Sequence, residues 1–270
     1  YLAWTSANIA LLAIVCQRLV STLSGMGPRG QLGAMVGIST FLPVTIAVVQ
    51  GQFSLVVILS LVLAWQALRS SQELRGGLWL SLLLIKPPLV VLPALVLLWQ
   101  RRLTALGGLA LGGVFFVVAS LIAVGWDGLQ GYARMLLGLS TAGDAYGIHP
   151  QAMHTWRGFL HLFLGTDDPN AVMFWWGLGV ALAVGLLLWS WRGDRGTTTG
   201  QFDLRWSLLV IAMLFTSLHV NSHDLSLLVV PGIILARHFL GGGRDRLLDK
   251  LVVALVPLGY LAVWASFITT

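Results

Sequence analysis

Long apolar runs recur along almost the whole of this 270-residue chain, and they constrain its fold more than any other feature. A helix of about 20 apolar residues crosses the hydrocarbon core of a bilayer. The runs fall at about 1–20, 31–49, 53–68, 78–98, 104–125, 170–191, 206–218, 225–239 and 251–269. With 57% hydrophobic and 10% charged residues, the sequence predicts an all-α, polytopic integral membrane bundle, with residues 1–270 as a single transmembrane domain.

Positive charge collects in the short breaks between these runs. Thirteen of the 16 Lys and Arg residues fall in five clusters, at residues 18–29, 69–75, 101–102, 192–205 and 237–250. Cytoplasmic loops of membrane proteins carry an excess of Lys and Arg, so we expect all five clusters to be cytoplasmic. Membrane topology then accounts for the net charge of +6, and we expect membrane lipids and no nucleic acid as partners.

Two apolar segments have basic clusters on both flanks, so neither can cross the bilayer an odd number of times. Residues 78–98 are predicted to form a re-entrant hairpin that turns at Lys86-Pro87-Pro88. Each arm is only about 14–17 Å long against a core of about 30 Å. Residues 206–218 and 225–237 are predicted to form a second short pair, with the sequence HVNSHD at its tip. Both tips would lie at membrane depth on the outer side, where broken backbone must be buried in protein or line a wet cavity.

The longest polar break is the extracytoplasmic loop predicted at residues 126–169. Apolar side chains recur on one helical face in two parts of it, as Leu129, Tyr132, Leu136 and Leu139, and as Met153, Trp156, Leu160 and Phe163. Both patterns indicate helices that lie along the membrane surface.

Lys86 is the first candidate functional residue. One interpretation is a lysine that snorkels to the interface or only closes a turn. Against this, the hairpin places it where an unpaired charge costs about 2.5–3.5 kcal/mol on insertion scales, which implies an anionic partner. Acidic residues are nearly absent from the apolar segments, so a lipid phosphate fits better than a carboxylate. Arg157 suits a phosphate because a guanidinium donates two parallel hydrogen bonds, and Arg134 is a less specific candidate.

The HVNSHD stretch is the second candidate, with His219, Asn221, His223 and Asp224 within six residues. Three interpretations stay open: a metal site, a hydrogen-bonded helix cap with Asp224 near a helix N-terminus, or a group that faces substrate. A clear third metal ligand is missing, and Cys16 is the only cysteine. We therefore expect no metal and no cofactor. His154 and Gln52 are candidate substrate-binding residues, although His154 would equally suit a solvated interfacial helix.

The order of these features resembles a known enzyme family. Gly51-Gln52, then GGLWLSLLLIKPPLVVLPALVLLWQRR, then the long outer loop and HDLSLLVVPGIILAR are similar to bacterial glycosyltransferase family 87 of the GT-C membrane superfamily. Its members are typically mannosyltransferases that use polyprenyl-phosphate mannose. The resemblance implies a GT-C-like bundle in the bacterial inner membrane. It also implies transfer of a sugar, with mannose expected, from a polyprenyl phosphate to a lipid or glycan acceptor on the outer face.

The resemblance also implies roles for the candidate residues. Lys86, Arg157 and Arg134 would bind the donor phosphate, while His219, His223 and Asp224 would orient the sugar or support the general base. GT-C enzymes usually carry that base in their first outer loop. This chain opens on YLAWTSANIALL and is expected to begin at the third membrane helix, so the main base is expected to precede Tyr1. The competing class is a transporter or lipid flippase with charges at the midplane, but the two predicted hairpins share neither spacing nor residue types.

Overall fold

The computed structural model describes residues 2–23, 25–138, 153–164, 169–193 and 199–240, and every regular element among them is a helix. The α-helices are α1 Leu2–Val20, α2 Pro28–Thr40, α3 Leu42–Val49, α4 Ser54–Arg69, α5 Glu73–Leu80, α6 Val91–Trp99, α7 Leu103–Gly138, α8 Trp156–Leu164, α9 Pro169–Ser190, α10 Thr199–Thr216 and α11 Val229–Leu240. Three shorter 3₁₀ helices are Ser81–Ile85, Pro87–Val90 and Ser222–Leu228. The all-α prediction is confirmed.

Three of these helices are long and apolar enough to cross a membrane, namely Leu2–Val20, Leu103–Gly138 and Asn170–Ser190. A fourth span is formed if α2 and α3 are taken together as one span bent by 56°. The bend falls at Phe41, whose ψ of 116° is extended. Pro43, in the first turn of α3, has no N–H to donate to the Ser39 carbonyl, so α2 cannot continue into α3 as one unbroken helix. Large apolar side chains on α7 are exposed, such as Phe115 and Ile122. The chain is therefore a membrane protein whose spanning helices present apolar surface outward.

The contacts divide the chain into two compact units. The first comprises Tyr1–Val62, Gly193–Ile211 and Ser222–Thr270, and the second comprises Leu63–Arg192 and Ala212–Asn221. In the first unit, α1 packs against α2, α3 and α11, and the 3₁₀ helix Ser222–Leu228 packs against α3. In the second unit, α5 and α6 pack against α7, and α8 packs against α9. The prediction of one domain over residues 1–270 stays a prediction.

The segment around Lys86, in the second unit, folds back so that its last residues lie beside its first ones. It runs through α5 and the 3₁₀ helix Ser81–Ile85, breaks at Lys86, and continues through Pro87–Val90 into α6. An ion pair of 3.4 Å between Arg102 Nη1 and Glu73 Oε1 joins its two flanks. The hairpin predicted from the basic flanks is therefore present, although its first arm begins at Glu73 rather than at residue 78. The side of the membrane on which its flanks lie stays a prediction.

The two prolines explain why the hairpin breaks at Lys86. Proline has no backbone N–H and excludes the preceding residue from helical backbone. Lys86 accordingly has φ −127° and ψ 80°, and the helix on either side tightens to 3₁₀ geometry. The Lys86 N–H still donates to the Leu83 carbonyl over 2.8 Å, and the Leu89 N–H donates to the Lys86 carbonyl over 2.9 Å. The backbone at the break thus stays hydrogen-bonded.

Glycines allow α5 to lie directly on the first half of α7. A Cβ at Gly77 would collide with the Ala105 carbonyl, and a Cβ at Gly108 would collide with the Leu74 carbonyl. Small residues at such positions let two membrane helices approach backbone to backbone. The same contact holds the hairpin beside the helix that follows it in the chain.

In the first unit, the start of α10 meets the end of α11. Arg237 Nη1 lies 3.8 Å from Asp203 Oδ2, and the Asp203 side chain is buried. The two flanks of the second predicted pair therefore also lie next to each other. Its first arm is longer than predicted, because α10 begins at Thr199 rather than at residue 206. A buried carboxylate is tolerated in that extra part since Arg237 pairs with it.

Two helical stretches are expected in the predicted outer loop, and the structure has a helix at each of them. α7 continues to Gly138 after a break at Gly125, where φ is 70°, and this continuation covers all of the first apolar pattern except Leu139. Leu139 lies outside the described residues. α8 carries Trp156, Leu160 and Phe163 of the second pattern, whereas Met153 precedes the helix. Leu160 is buried, and Phe163 is 74% exposed. The position of both helices on the outer side of the membrane stays a prediction.

Replacement of Gly108 by alanine should destabilise the protein. The added methyl group would overlap the Leu74 backbone, which cannot rotate away as a side chain can, so we expect a loss of about 1–3 kcal/mol. Gly107→Ala is the matched control, because nothing lies within 4 Å of a Cβ at that position. Thermal unfolding in detergent should show a lower midpoint for Gly108→Ala only. Equal midpoints for the two variants would contradict the α5–α7 contact.

Cysteine labelling should find both flanks of the Lys86 hairpin on one side of the membrane. Ser70 and Arg101 are exposed and would be replaced singly by cysteine in a Cys16→Ala background. An impermeant thiol reagent should label both from the cytoplasmic side of oriented vesicles. Ala133→Cys, an exposed position in the predicted outer loop, should react from the opposite side. Labelling of the two flanks from opposite sides would contradict the hairpin.

Candidate functional site

The QGQ turn at residues 50–52 is the first element of the candidate site and lies in the first unit. α3 ends there in a Schellman motif: Gly51 has φ 63°, its N–H donates to the Val48 carbonyl, and the Gln52 N–H donates to the Ala47 carbonyl. A positive φ favours glycine, which has no Cβ to collide with the backbone. The Gly51 carbonyl in turn accepts a hydrogen bond of 2.7 Å from the Trp4 indole. The direction of the chain at this turn is therefore fixed.

His223 and Asp224 lie against this turn because Ser222–Leu228 packs on α3. His223 Nδ1 is 3.1 Å from Gln50 Oε1, and His223 Nε2 is 3.6 Å from Asp224 Oδ1. The His223 and Asp224 side chains are both buried, while Gln50 is exposed. The structure thus joins two predicted site residues to a glutamine 173 residues away in the chain. Gln52 is half-buried in the same turn.

In the second unit, the other half of HVNSHD meets residues 153–155. The His154 N–H donates to the Val220 carbonyl over 2.9 Å. His219 Nε2 lies 3.1 Å from Asn221 Nδ2, and the Ser217 hydroxyl donates to the His219 carbonyl over 3.1 Å. Three predicted site residues, His154, His219 and Asn221, are thereby brought together. Desolvation by the protein around its ring lowers the pKa of His154, which favours the neutral imidazole at pH 7 even though the residue is exposed overall.

α8 begins at Trp156, two residues after His154, and carries Arg157 in its first turn. Thr155 caps the helix, since its hydroxyl oxygen accepts a hydrogen bond of 3.0 Å from the Gly158 N–H. Arg157 is half-buried, and its Nε is buried without a hydrogen-bond partner in the part of the chain that the structure describes. A helix N-terminus attracts anions through its N–H groups and dipole. The guanidinium adds a full positive charge at the same helix end.

Aromatic contacts fix the position of α8. The Trp156 ring stacks on Phe159 at 5.4 Å and on Phe215 at 5.6 Å between centroids. Its indole N–H donates to the Trp175 carbonyl over 3.1 Å. Offset stacking of this kind contributes about 0.5–1.5 kcal/mol per pair beyond burial. Trp156 therefore ties the helix that carries Arg157 to both α9 and α10.

The two remaining predicted cations occupy different surroundings. Lys86 is half-buried at the break of its hairpin. Arg134 is exposed on the last part of α7, and its Nη2 donates to Gln130 Oε1, one turn earlier, over 3.2 Å. Arg134 is thus placed on an open helix surface, whereas Arg157 and Lys86 are partly enclosed by protein.

Three groups at the site, namely Gln50, Thr155 and the Val220 carbonyl, were not among the residues predicted for it. The spacing of Thr155 before an amphipathic stretch carries a capping signal that could have identified it. The contacts of Gln50 with His223 and of Val220 with His154 join distant parts of the chain, so no local pattern identifies them. Within the described ranges, no group of three or more His, Cys, Asp and Glu residues is arranged to hold a metal ion.

Comparison with known proteins agrees with this picture of a membrane enzyme. A comparison with curated proteins gave no match, and neither did one with solved structures. The sequence profile of glycosyltransferase family 87 matches residues 1–219 of the chain. Lys86, Arg157 and His219 lie inside the matched region, whereas His223 and Asp224 follow it directly. Since the match covers most of the chain, the protein belongs to glycosyltransferase family 87 and is a membrane glycosyltransferase.

Proposed function

We propose that the protein transfers mannose from a polyprenyl-phosphate donor to a hydroxyl of a lipid or glycan acceptor. In this proposal the site faces the outer side of the bacterial inner membrane. The single observation that carries it is the N-terminus of α8, where Arg157 Nε is buried without a hydrogen-bond partner beside the helix N–H groups. A phosphate on a lipid would satisfy both groups at once.

The reaction we propose is a substitution at the anomeric carbon of the sugar. The acceptor oxygen forms a bond to that carbon, the bond from the carbon to the phosphate oxygen breaks, and polyprenyl phosphate leaves with the bonding electron pair. The acceptor hydroxyl gives its proton to a base. Negative charge grows on the phosphate during this step, so cations that contact it lower the barrier. Arg157 and Lys86 are the proposed cations, with Arg134 as a more exposed third.

The buried pair His223 and Asp224 has a supporting role in this proposal. The Asp224 carboxyl oxygen lies 3.6 Å from Nε2 of the His223 imidazole and restrains the orientation of the ring. The pair would orient the sugar or the acceptor hydroxyl and assist removal of its proton. His154, His219, Asn221 and Gln52 offer hydrogen-bonding groups for sugar hydroxyls.

The identity of the donor is tested directly in membranes from cells that produce the protein. Radiolabelled polyprenyl-phosphate mannose should give labelled lipid or glycan product, and unlabelled polyprenyl-phosphate glucose should compete poorly. A nucleotide-linked mannose should give no product when synthesis of polyprenyl-phosphate mannose is blocked. Efficient transfer from the nucleotide sugar under that block would overturn the proposed donor.

Lys86→Ala and Arg157→Ala should each reduce transfer while leaving the yield of folded protein nearly unchanged. Loss of a charge-assisted hydrogen bond costs about 1.5–3 kcal/mol, or roughly tenfold to a hundredfold in kcat/KM. Lys86→Arg should restore only part of the activity, because a planar guanidinium does not replace a compact ammonium.

Arg75→Ala is the control for these variants. Arg75 is exposed on α5, and its Nη1 hydrogen-bonds to Gln72 Oε1 over 3.2 Å. We expect its removal to leave transfer unchanged. Donor binding by Lys86→Ala or Arg157→Ala that equals that of the Arg75→Ala control would contradict the assignment of that residue to the phosphate.

A further inference from the structure

The ring of His223 is held by a side chain from a distant part of the first unit. Gln50 Oε1 lies 3.1 Å from His223 Nδ1, and only the opposite ring nitrogen, Nε2, lies beside Asp224 Oδ1. A carbonyl oxygen accepts a hydrogen bond and cannot donate one. The contact with Gln50 therefore requires a proton on Nδ1 and leaves Nε2 as the nitrogen that faces the carboxylate.

Gln50 is itself fixed by the backbone around it. Its N–H donates to the Ile46 carbonyl over 2.9 Å as the last hydrogen bond of α3. The next residue, Gly51, has a positive φ that favours glycine. Its carbonyl accepts a hydrogen bond from the Trp4 indole. Trp4 in turn packs on Phe53 with ring centroids 5.0 Å apart. The amide of Gln50 is thus presented to His223 from a turn with little freedom to move.

We propose that Gln50 is a positioning residue that sets the tautomer and ring orientation of His223, so that Nε2 faces Asp224. The kinetic part of this inference rests on the proposed function, in which His223 and Asp224 support sugar transfer. The tautomer part does not depend on it. Histidine tautomers are commonly set by the partner of the other ring nitrogen. A neutral amide suits this task because it selects Nδ1–H without adding a charge.

The first test is spectroscopic and needs no substrate. The protein would be labelled with ¹⁵N at its histidine rings, placed in lipid nanodiscs, and observed by NMR, with the His223 signals identified by their loss in His223→Gln. Nδ1 should be protonated in the wild type and in Gln50→Glu, whose carboxylate also accepts from Nδ1–H. Gln50→Leu should lose this preference and show protonation at Nε2 or a mixture of tautomers.

Gln17→Leu serves as the matched control, because Gln17 is an exposed glutamine on α1 of the same unit. Its His223 signals should equal those of the wild type. Thermal unfolding of all variants checks that they are folded. An unprotonated Nδ1 in the wild type would overturn the proposal, as would a His223 signal that Gln50→Leu leaves unchanged.

The second test is kinetic. Gln50→Leu should lower kcat about tenfold, the scale of one lost hydrogen bond to a functional group, with little change in KM for the donor. Gln50→Glu should recover most of kcat, and the control should match the wild type. A merely structural role would instead lower the yield and affect the leucine and glutamate variants alike. If no transfer from polyprenyl-phosphate mannose is detected, the proposed function fails, while the NMR result still decides the role of Gln50.

Discussion

A backbone polar group at membrane depth must find its hydrogen bond inside the protein, and this constraint governs how the chain can break its helices. At Lys86 the two prolines interrupt the helix, yet the neighbouring N–H groups still reach carbonyls through tight 3₁₀ turns. At residues 50–52 the Schellman motif does the same for the end of α3. Polar side chains therefore stand at places where the helical ladder ends and the chain must turn.

These breaks explain where the candidate chemistry lies. His223 and Asp224 meet the end of α3 in the first unit, and Arg157 follows a capped helix start in the second. The two ends offer opposite polarity, since carbonyls point out of a helix C-terminus and N–H groups point out of an N-terminus. Gln50 and His223 are found at the C-terminus of α3, and Arg157 is found at the N-terminus of α8. The chain belongs to glycosyltransferase family 87, and sugar transfer is the reaction in which we propose that these groups act.

Sequence reasoning succeeded where the signal was local or followed from charge. Basic flanks predicted that residues 78–98 return to their starting end, and the ion pair of Glu73 with Arg102 shows that they do. The start of α10 was predicted too late, because the apolar run begins only at Trp206, after the basic cluster. In the structure α10 begins at Thr199, and Arg237 pairs with the Asp203 carboxylate within the added part. The contact of Gln50 with His223 could not be predicted from the sequence, because 173 residues separate the two and no local pattern links them.

The ion pairs that close the two hairpins also bear on how the protein is made. Each ion pair brings the two flanks of its hairpin together, so both flanks would stay on one side of the membrane during insertion. Neither arm of the Lys86 hairpin is long enough to stop in the bilayer as a separate span, so the insertion machinery has to accept both arms together. Arg102 lies 29 residues after Glu73 in the chain, so the ion pair between them can form only after both arms of the hairpin have been synthesised.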